Sequence, residues 1–136
     1  MSTIADITAD LKALYKEKDC GPIMIRLSWH DAGVYSTGAK TGGCPNAAMR
    51  FTDGGEGCFG ANAGKLIKLL FCLHFVSRAM SFWRSYSMYN IVTGLPTVAL
   101  TLLKPITDKY VGAGIISNAD LWTLAVRIAL SLAASR

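Results

Sequence analysis

The sequence is poor in the features that mark disulfide-bonded and zinc-binding proteins. It has four cysteines, and no two stand at the two-residue spacing that zinc sites and redox loops use: Cys20, Cys44, Cys58 and Cys72. Histidine is scarcer still, with two in 136 residues. We therefore expect reduced thiols of an intracellular protein.

Clustered positive charge and long apolar runs are also missing. The net charge of +5 is spread over single and paired basic residues without a nucleic-acid signature, so we predict no nucleic-acid partner. The most apolar stretch is interrupted by Lys68, His74 and Arg78, which argues against a transmembrane helix. The first ten residues lack the basic and apolar regions of a secretory signal. With Met1 as the start, we expect a cytoplasmic protein, and a chloroplast location stays open.

Apolar and polar residues alternate nowhere for long enough to indicate a strand, so the predicted fold class is all-α. The first helix is amphipathic, with an expected cap at Thr8 and an end near Gly21. Its apolar stripe consists of Leu11, Leu14 and Tyr15. This pattern predicts a helix that packs on a core through one face.

Two further helices are predicted from their boundary residues. Pro22 suits the first turn of a helix, where its missing N–H costs nothing, and Gly33 is expected to end that helix. Near the end of the chain, Ser117 and Asp120 are three residues apart, the spacing of a capping box ahead of a helix. Glycine-rich loops separate these segments.

Three side chains of the second predicted helix share a face. Arg26, Trp29 and His30 stand at spacing i, i+3 and i+4 within RLSWHDAG, and such residues lie on one side of a helix. They gather a permanent cation, an imidazole that titrates near neutral pH and a flat aromatic ring. In an ordinary helix they would be a core tryptophan, a hydrogen-bonded histidine and a surface charge. On spacing alone, the ordinary helix is the better interpretation.

Longer motifs favour a functional site. CGPIMIRLSWHDAG, TGGCPNAAMRF and GANAG, in this order, resemble the distal half of class I haem peroxidases, and the ascorbate peroxidases most closely. LLKPITDKY and ISNADLWTLA are similar to the family's next two helical segments. The resemblance covers residues 8–64 and about 95–126. It implies the distal helical lobe of the haem peroxidase fold, haem b with its iron as cofactor, and hydrogen peroxide as substrate.

The resemblance also implies roles for single residues. His30 would move a proton between the two oxygens of peroxide, and Arg26 would stabilise negative charge on the leaving oxygen. Trp29 would lie over the macrocycle. Asn62, in GANAG, matches the asparagine that accepts the second N–H of the histidine and holds its tautomer. Glu56 stands where the family often has an acidic residue, in a supporting role.

Two residues before this helix bear on the reductant. In ascorbate peroxidases, a lysine and a cysteine at positions matching Lys18 and Cys20 lie at the exposed haem edge, where a cation can bind an anionic donor. The resemblance therefore implies ascorbate as the electron donor. Taken singly, they would be a lysine favourable to a helix C-terminus and a small buried thiol.

Two segments depart from the family. Residues 65–94 and 127–136 resemble nothing in it, so the chain divides into a distal haem lobe at 1–64, a foreign insert, peroxidase helices at 95–126 and a divergent tail. The family's proximal lobe, with the histidine that holds the iron, has no counterpart in the sequence. His74, in the insert, is only a remote candidate for that ligand, and a polar residue on an apolar helix is the better interpretation.

Two other functions stay open. The insert has apolar residues at helical spacing beside basic ones, which suits a membrane surface or a partner helix. These residues are Leu66, Leu69, Leu70, Leu73, Val76 and Met80, with Lys65, Lys68, Arg78 and Arg84 nearby. The third hypothesis is a catalytically silent form that acts through interactions alone. In a haem titration, such a form need not show a saturable spectrum.

Overall fold

The computed structural model of the chain describes residues 3–33, 35–43, 47–51, 53, 55–60, 62 and 94–135. These residues form four α-helices: α1 (Ile4–Lys18), α2 (Gly21–Ala32), α3 (Leu95–Ile106) and α4 (Asn118–Ala134). Two 3₁₀ turns, Ala48–Arg50 and Glu56–Cys58, follow α2, and a π-helical segment, Thr107–Val111, follows α3. Within the described ranges, β pairing is limited to one isolated bridge between Ser36 and Thr41. The predicted all-α class is confirmed.

The start of α1 differs from the prediction. Thr3 is the N-cap: its hydroxyl accepts the Asp6 N–H, and the Asp6 carboxylate accepts the Thr3 N–H at 2.7 Å, which makes a capping box. The predicted cap at Thr8 is therefore wrong, because an earlier pair supplies both halves of the box. The helix ends at Lys18, followed by Asp19 in a left-handed conformation (φ 47°).

The other helix boundaries follow the predictions. Pro22 stands in the first turn of α2, and the Gly33 N–H donates to the Trp29 carbonyl at 2.7 Å at the end of that helix. Ser117 is the N-cap of α4, where its hydroxyl accepts the Asp120 N–H at 3.1 Å. Thus α2 begins and ends, and α4 begins, where the predicted cap residues indicate.

The core lies between the four helices, and a buried hydrogen bond crosses it. Its members from α1 and α2 are Ile7, Leu11, Tyr15, Ile23, Met24 and Leu27, and those from α3 and α4 include Leu95, Ala99, Leu103, Leu121, Trp122 and Ala125. The Tyr15 hydroxyl donates to the Ala125 carbonyl at 2.7 Å, which joins α1 to α4. Burial raises the pKa of Tyr15 above its usual range, so the hydroxyl keeps this donated proton.

The helix α4 continues past residue 127, where the divergent tail was predicted to begin. Ile128 and Ala129 are buried, and a Cβ placed on Gly21 would stand 3.5 Å from the Ala129 Cβ. The described part of the tail is thus a packed helix that faces the start of α2. The division of the chain into a family-like part and a tail stays a prediction.

The predicted insert falls almost wholly outside the described residues. Only Gly94, at its end, is described, so the helix proposed for a membrane surface and the candidate ligand His74 lie outside them. In the part of the chain that is described, no helix combines the length and the apolar character needed to span a bilayer.

Candidate active site

The helix α2 buries one face and leaves the other open. Its buried residues are Ile23, Met24, Leu27 and Asp31, which lie on one side of the helix. On the other face, Trp29 is 70% exposed, and Arg26 and His30 are half-buried. The interpretation of Trp29 as a core residue is therefore wrong. The three residues form an open surface that combines an aromatic ring, a cation and an imidazole, and we call it the distal face.

His30 and Asn62, 32 positions apart in the sequence, are joined at this face. The His30 Nδ1 lies 2.5 Å from the Asn62 Oδ1, and the Asn62 Nδ2 donates to the Glu56 carbonyl at 2.8 Å. Because the Asn62 amide nitrogen donates to the Glu56 carbonyl, the Asn62 amide oxygen must be the atom that faces the His30 ring. The neutral imidazole therefore carries its hydrogen on Nδ1, and Nε2 keeps a free lone pair.

Backbone hydrogen bonds fix Asn62 to the residues before it and to the start of α3. Its side chain is 2% exposed, and its N–H donates to the Phe59 carbonyl at 2.8 Å. Its own carbonyl accepts the N–H of Leu95, the first residue of α3, at 2.9 Å. The position of the amide beside His30 is thus set by the turn before it and by the start of a core helix.

Three effects act on the pKa of His30. Burial lowers it most, the hydrogen bond to Asn62 raises it, and the positive charge of Arg26 lowers it further, with a net decrease. The ring is therefore neutral over a wider pH range than a free histidine. A neutral ring with a fixed Nδ1–H can accept a proton at Nε2.

A buried carboxyl pair lies behind the distal face. Asp31 and Glu56 are 1% and 9% exposed, and their carboxyl groups contact each other. Both Asp31 oxygens and the Glu56 Oε2 lack a hydrogen-bond partner of normal geometry among the described residues. Burial raises the pKa of both carboxyls, and the charge of Asp31 raises that of Glu56 further. The family resemblance implies a supporting role for Glu56, whereas no role is predicted for Asp31.

Gly55 allows the second 3₁₀ turn, which carries Glu56, to approach the first 3₁₀ turn. A Cβ at position 55 would lie 2.6 Å from the Phe51 carbonyl oxygen and 2.9 Å from that of Ala48. Only glycine fits this distance, since real Cβ atoms do not come within 3.0 Å of such groups. The glycine before Glu56 in DGGEG was the only signal of this contact in the sequence.

Lys18 and Cys20, which are expected together at an exposed haem edge, differ in their exposure. Lys18 is exposed, with its Nζ 2.7 Å from the Glu17 carboxylate. Cys20 is 1% exposed, and burial raises its pKa to about 11. The expectation that the Cys20 side chain lies at an exposed edge is wrong, because it is packed in the core just before α2. The described residues contain no cluster of side chains suited to hold a metal ion.

The comparisons with known proteins agree with the motifs. A model of the peroxidase family matches residues 7–136. The chain therefore belongs to the peroxidase family, and the family predicted from the motifs is confirmed.

Three relatives of the chain are plant and fungal peroxidases. The probable L-ascorbate peroxidase 3, peroxisomal, of Oryza sativa subsp. japonica is 48% identical over 64 residues, which are 47% of this chain and 21% of that protein. L-ascorbate peroxidase 3 of Arabidopsis thaliana is 43% identical over 72 residues, 53% of this chain and 24% of the relative. A putative heme-binding peroxidase of Aspergillus fumigatus is 32% identical over 126 residues, 92% of this chain and 28% of the relative.

The chain thus spans between a fifth and a third of the length of these relatives. No solved structure matches it.

Proposed function

We propose that this chain forms the distal side of a haem peroxidase site that reduces hydrogen peroxide, with ascorbate as the electron donor. The observation that carries the proposal is the His30–Asn62 contact beside Arg26 and the exposed ring of Trp29. Family membership supplies the reaction class. Hydrogen peroxide detoxification is the role that follows.

The distal face fits one side of a haem. Trp29 offers a flat, exposed aromatic surface, and the half-buried Arg26 and His30 lie one turn of helix or less from it. His30 is the only histidine among the described residues, and its ring is committed to Asn62 through Nδ1. Haem b, when bound, would supply the iron at which peroxide is reduced, and the residue that holds this iron would come from beyond the described residues.

His30 would act as the proton carrier. Its Nε2 has a free lone pair and the ring has a lowered pKa, so it can take a proton from one oxygen of peroxide and return it to the departing one. Asn62 keeps the ring in the tautomer that this transfer needs. General acid–base catalysis of this kind is worth about 10²- to 10⁴-fold in rate.

Arg26 would stabilise the charge that develops as the O–O bond breaks. It lies one turn before His30 on α2, close enough for its charge to lower the pKa of the ring. A guanidinium stays positive at any pH of interest, so it can face an oxygen anion without gaining or losing a proton. Holding it on a rigid helix avoids reorganisation during the reaction.

Ascorbate would be bound through Lys18. This exposed cation precedes α2 and can pair with an anionic reductant. Cys20 contributes through its packing rather than by contact, because its side chain is buried. The ascorbate peroxidases among the relatives support this choice of donor.

The test is a haemin titration of the purified chain, first alone and then with the proximal part of the Arabidopsis relative added. The assembly of the chain, this proximal part and haem is called the completed complex. Alone, we expect weak binding and little peroxide-dependent loss of ascorbate, since the described residues cover only one face of the haem and contain no second histidine to hold its iron. In the completed complex, we expect saturable binding and turnover.

Each other outcome has a distinct meaning. A completed complex that neither binds haem nor turns over would contradict the proposal and favour the catalytically silent form. Tight one-to-one binding by the chain alone, lost in His74→Ala, would show that the predicted insert supplies the ligand. Deletion of residues 65–94 alone should not restore activity.

A further inference from the structure

We propose that Asp31 and Glu56 share one proton, and that this bridge positions His30 by joining α2 to the turn whose carbonyl holds Asn62. The consequence for His30 rests on the proposed peroxidase function, whereas the shared proton itself does not. Neither carboxyl would touch substrate or haem, so both are positioning residues.

Two connections lead from the pair to the imidazole. Asp31 follows His30 directly on α2. Glu56 lies on the second 3₁₀ turn, where its side chain contacts Asp31 and its backbone carbonyl accepts the Asn62 amide at 2.8 Å. One residue thus touches both the helix that carries His30 and the amide that orients its ring.

The unpartnered oxygens indicate the proton. Three of the four carboxyl oxygens are buried without a partner among the described residues, and two carboxylates in contact would repel each other strongly there. One proton turns this contact into an O–H···O⁻ hydrogen bond, one of the stronger kinds in proteins. A carboxyl pair then costs far less to bury than two separate charges.

The surroundings indicate which residue holds the proton. The backbone N–H groups of Ala48 and Met49 interact with Asp31 without forming hydrogen bonds of normal geometry, and together with the charge of Arg50 they lower the pKa of Asp31 against the larger effect of its burial. Among the described residues, no such group lowers the pKa of Glu56. The ionisable neighbours on α2 are Arg26 and His30, which interact with each other at the distal face. Asp31 is therefore the carboxylate, and Glu56 donates to it.

The bridge makes stability depend on pH in a defined direction. A carboxyl whose pKa is raised by folding stabilises the folded state at low pH, and this stabilisation is lost as pH rises through the folded pKa. Above that pH both groups are charged and repel, which pushes the second 3₁₀ turn away from α2. The Asn62 amide, bound to that turn, then holds the His30 ring less firmly.

The test uses the 136-residue chain without haem, so its failure and that of the peroxidase proposal are separate results. Carboxyl ¹³C NMR follows Asp31 and Glu56 during a pH titration, and chemical unfolding is measured at each pH. Glu56→Gln keeps a donor to Asp31 but cannot titrate, and Asp53→Asn removes an exposed carboxyl nearby as the matched control.

In the parent and in Asp53→Asn, we expect Glu56 to keep its proton above the usual range of glutamates. The unfolding equilibrium constant should then rise by up to about tenfold per pH unit across that window, as for one proton. Glu56→Gln should remove this rise while the ¹⁵N signals of the His30 ring keep their parental shifts. Glu56→Ala should alter those shifts.

Three results would overturn the proposal. They are titration of both carboxyls in their ordinary range, the same pH slope in Glu56→Gln as in the parent, and unchanged His30 ring signals in Glu56→Ala. If Glu56→Ala does not fold, the comparison of Glu56→Gln with the parent still decides whether a proton is shared.

Discussion

The Nδ1 atom of His30 lies 2.5 Å from the Oδ1 atom of Asn62, and the orientation of that amide is set by its second bond, to the Glu56 carbonyl. This relationship determines which ring nitrogen is free. It brings together a helix and a loop that are 32 residues apart, and it sits beside a cation and an exposed indole.

Replacement of Asn62 tests the orientation of the ring. Asn62→Ala removes the acceptor for the Nδ1–H, so the other tautomer and other ring positions become accessible. In the completed complex, we expect the reaction with peroxide to slow by about 10- to 100-fold, the usual cost of losing such a supporting contact. Stopped-flow spectroscopy measures the rate, and an unchanged haem affinity serves as the control. A parental rate would mean that the contact does not serve the reaction.

The rate should depend on pH through His30. Because burial and the Arg26 charge lower the pKa of the ring, the active neutral form should persist below the usual histidine value of about 6.5. Arg26→Leu removes the charge that lowers the pKa of His30, so the acid limb of the profile should move to higher pH. The variant should also be slower by about 10²-fold or more at its optimum. An acid limb that stays in place would exclude His30 as the titrating group.

Lys18→Ala tests the reductant site. We expect ascorbate oxidation to weaken more than oxidation of a small neutral phenol, because only the anion uses the lysine charge. Lys16→Ala, which removes an exposed lysine from the same last turn of α1, is the matched control. Steady-state assays with both donors provide the comparison. Equal losses with the two donors in Lys18→Ala would argue against an ascorbate site at this lysine.

Gly55→Ala tests the close approach of the two 3₁₀ turns. The added Cβ would press on the carbonyls of Phe51 and Ala48, so we expect a loss of about 1–3 kcal/mol in the free energy of unfolding, as for other overpacked sites. Gly38→Ala, where a Cβ meets nothing within 4 Å, should change stability by less than about 0.5 kcal/mol. Denaturant unfolding compares the two. Similar small effects would show that the turns can separate without cost.

Much of the helical framework could be predicted because its signals are local. The apolar stripe of α1, Pro22 and Gly33 around α2, and Ser117 before α4 each act within a few residues. The predicted start of α1, at Thr8, is too late, because the helix is capped by Thr3. Both are threonines ahead of a helical pattern, and only the capping box with Asp6 distinguishes them.

The distal face was predictable and the carboxyl pair was not, for the same physical reason. Arg26, Trp29 and His30 lie on one helix, so their spacing alone places them together. Asp31 and Glu56 belong to different elements, and their contact depends on how the loop after α2 folds back. Spacing along the chain carries no record of such a contact.

The most direct test of the central claim is the reaction of peroxide with the completed complex and with its His30→Leu variant. The variant removes the proton carrier but keeps a side chain of similar bulk on the distal face, so haem binding should persist. We predict that the stopped-flow rate constant falls by at least about 10²-fold, the lower end for general acid–base catalysis. A rate constant within about threefold of the parent would contradict the account, since that is a small part of any catalytic contribution.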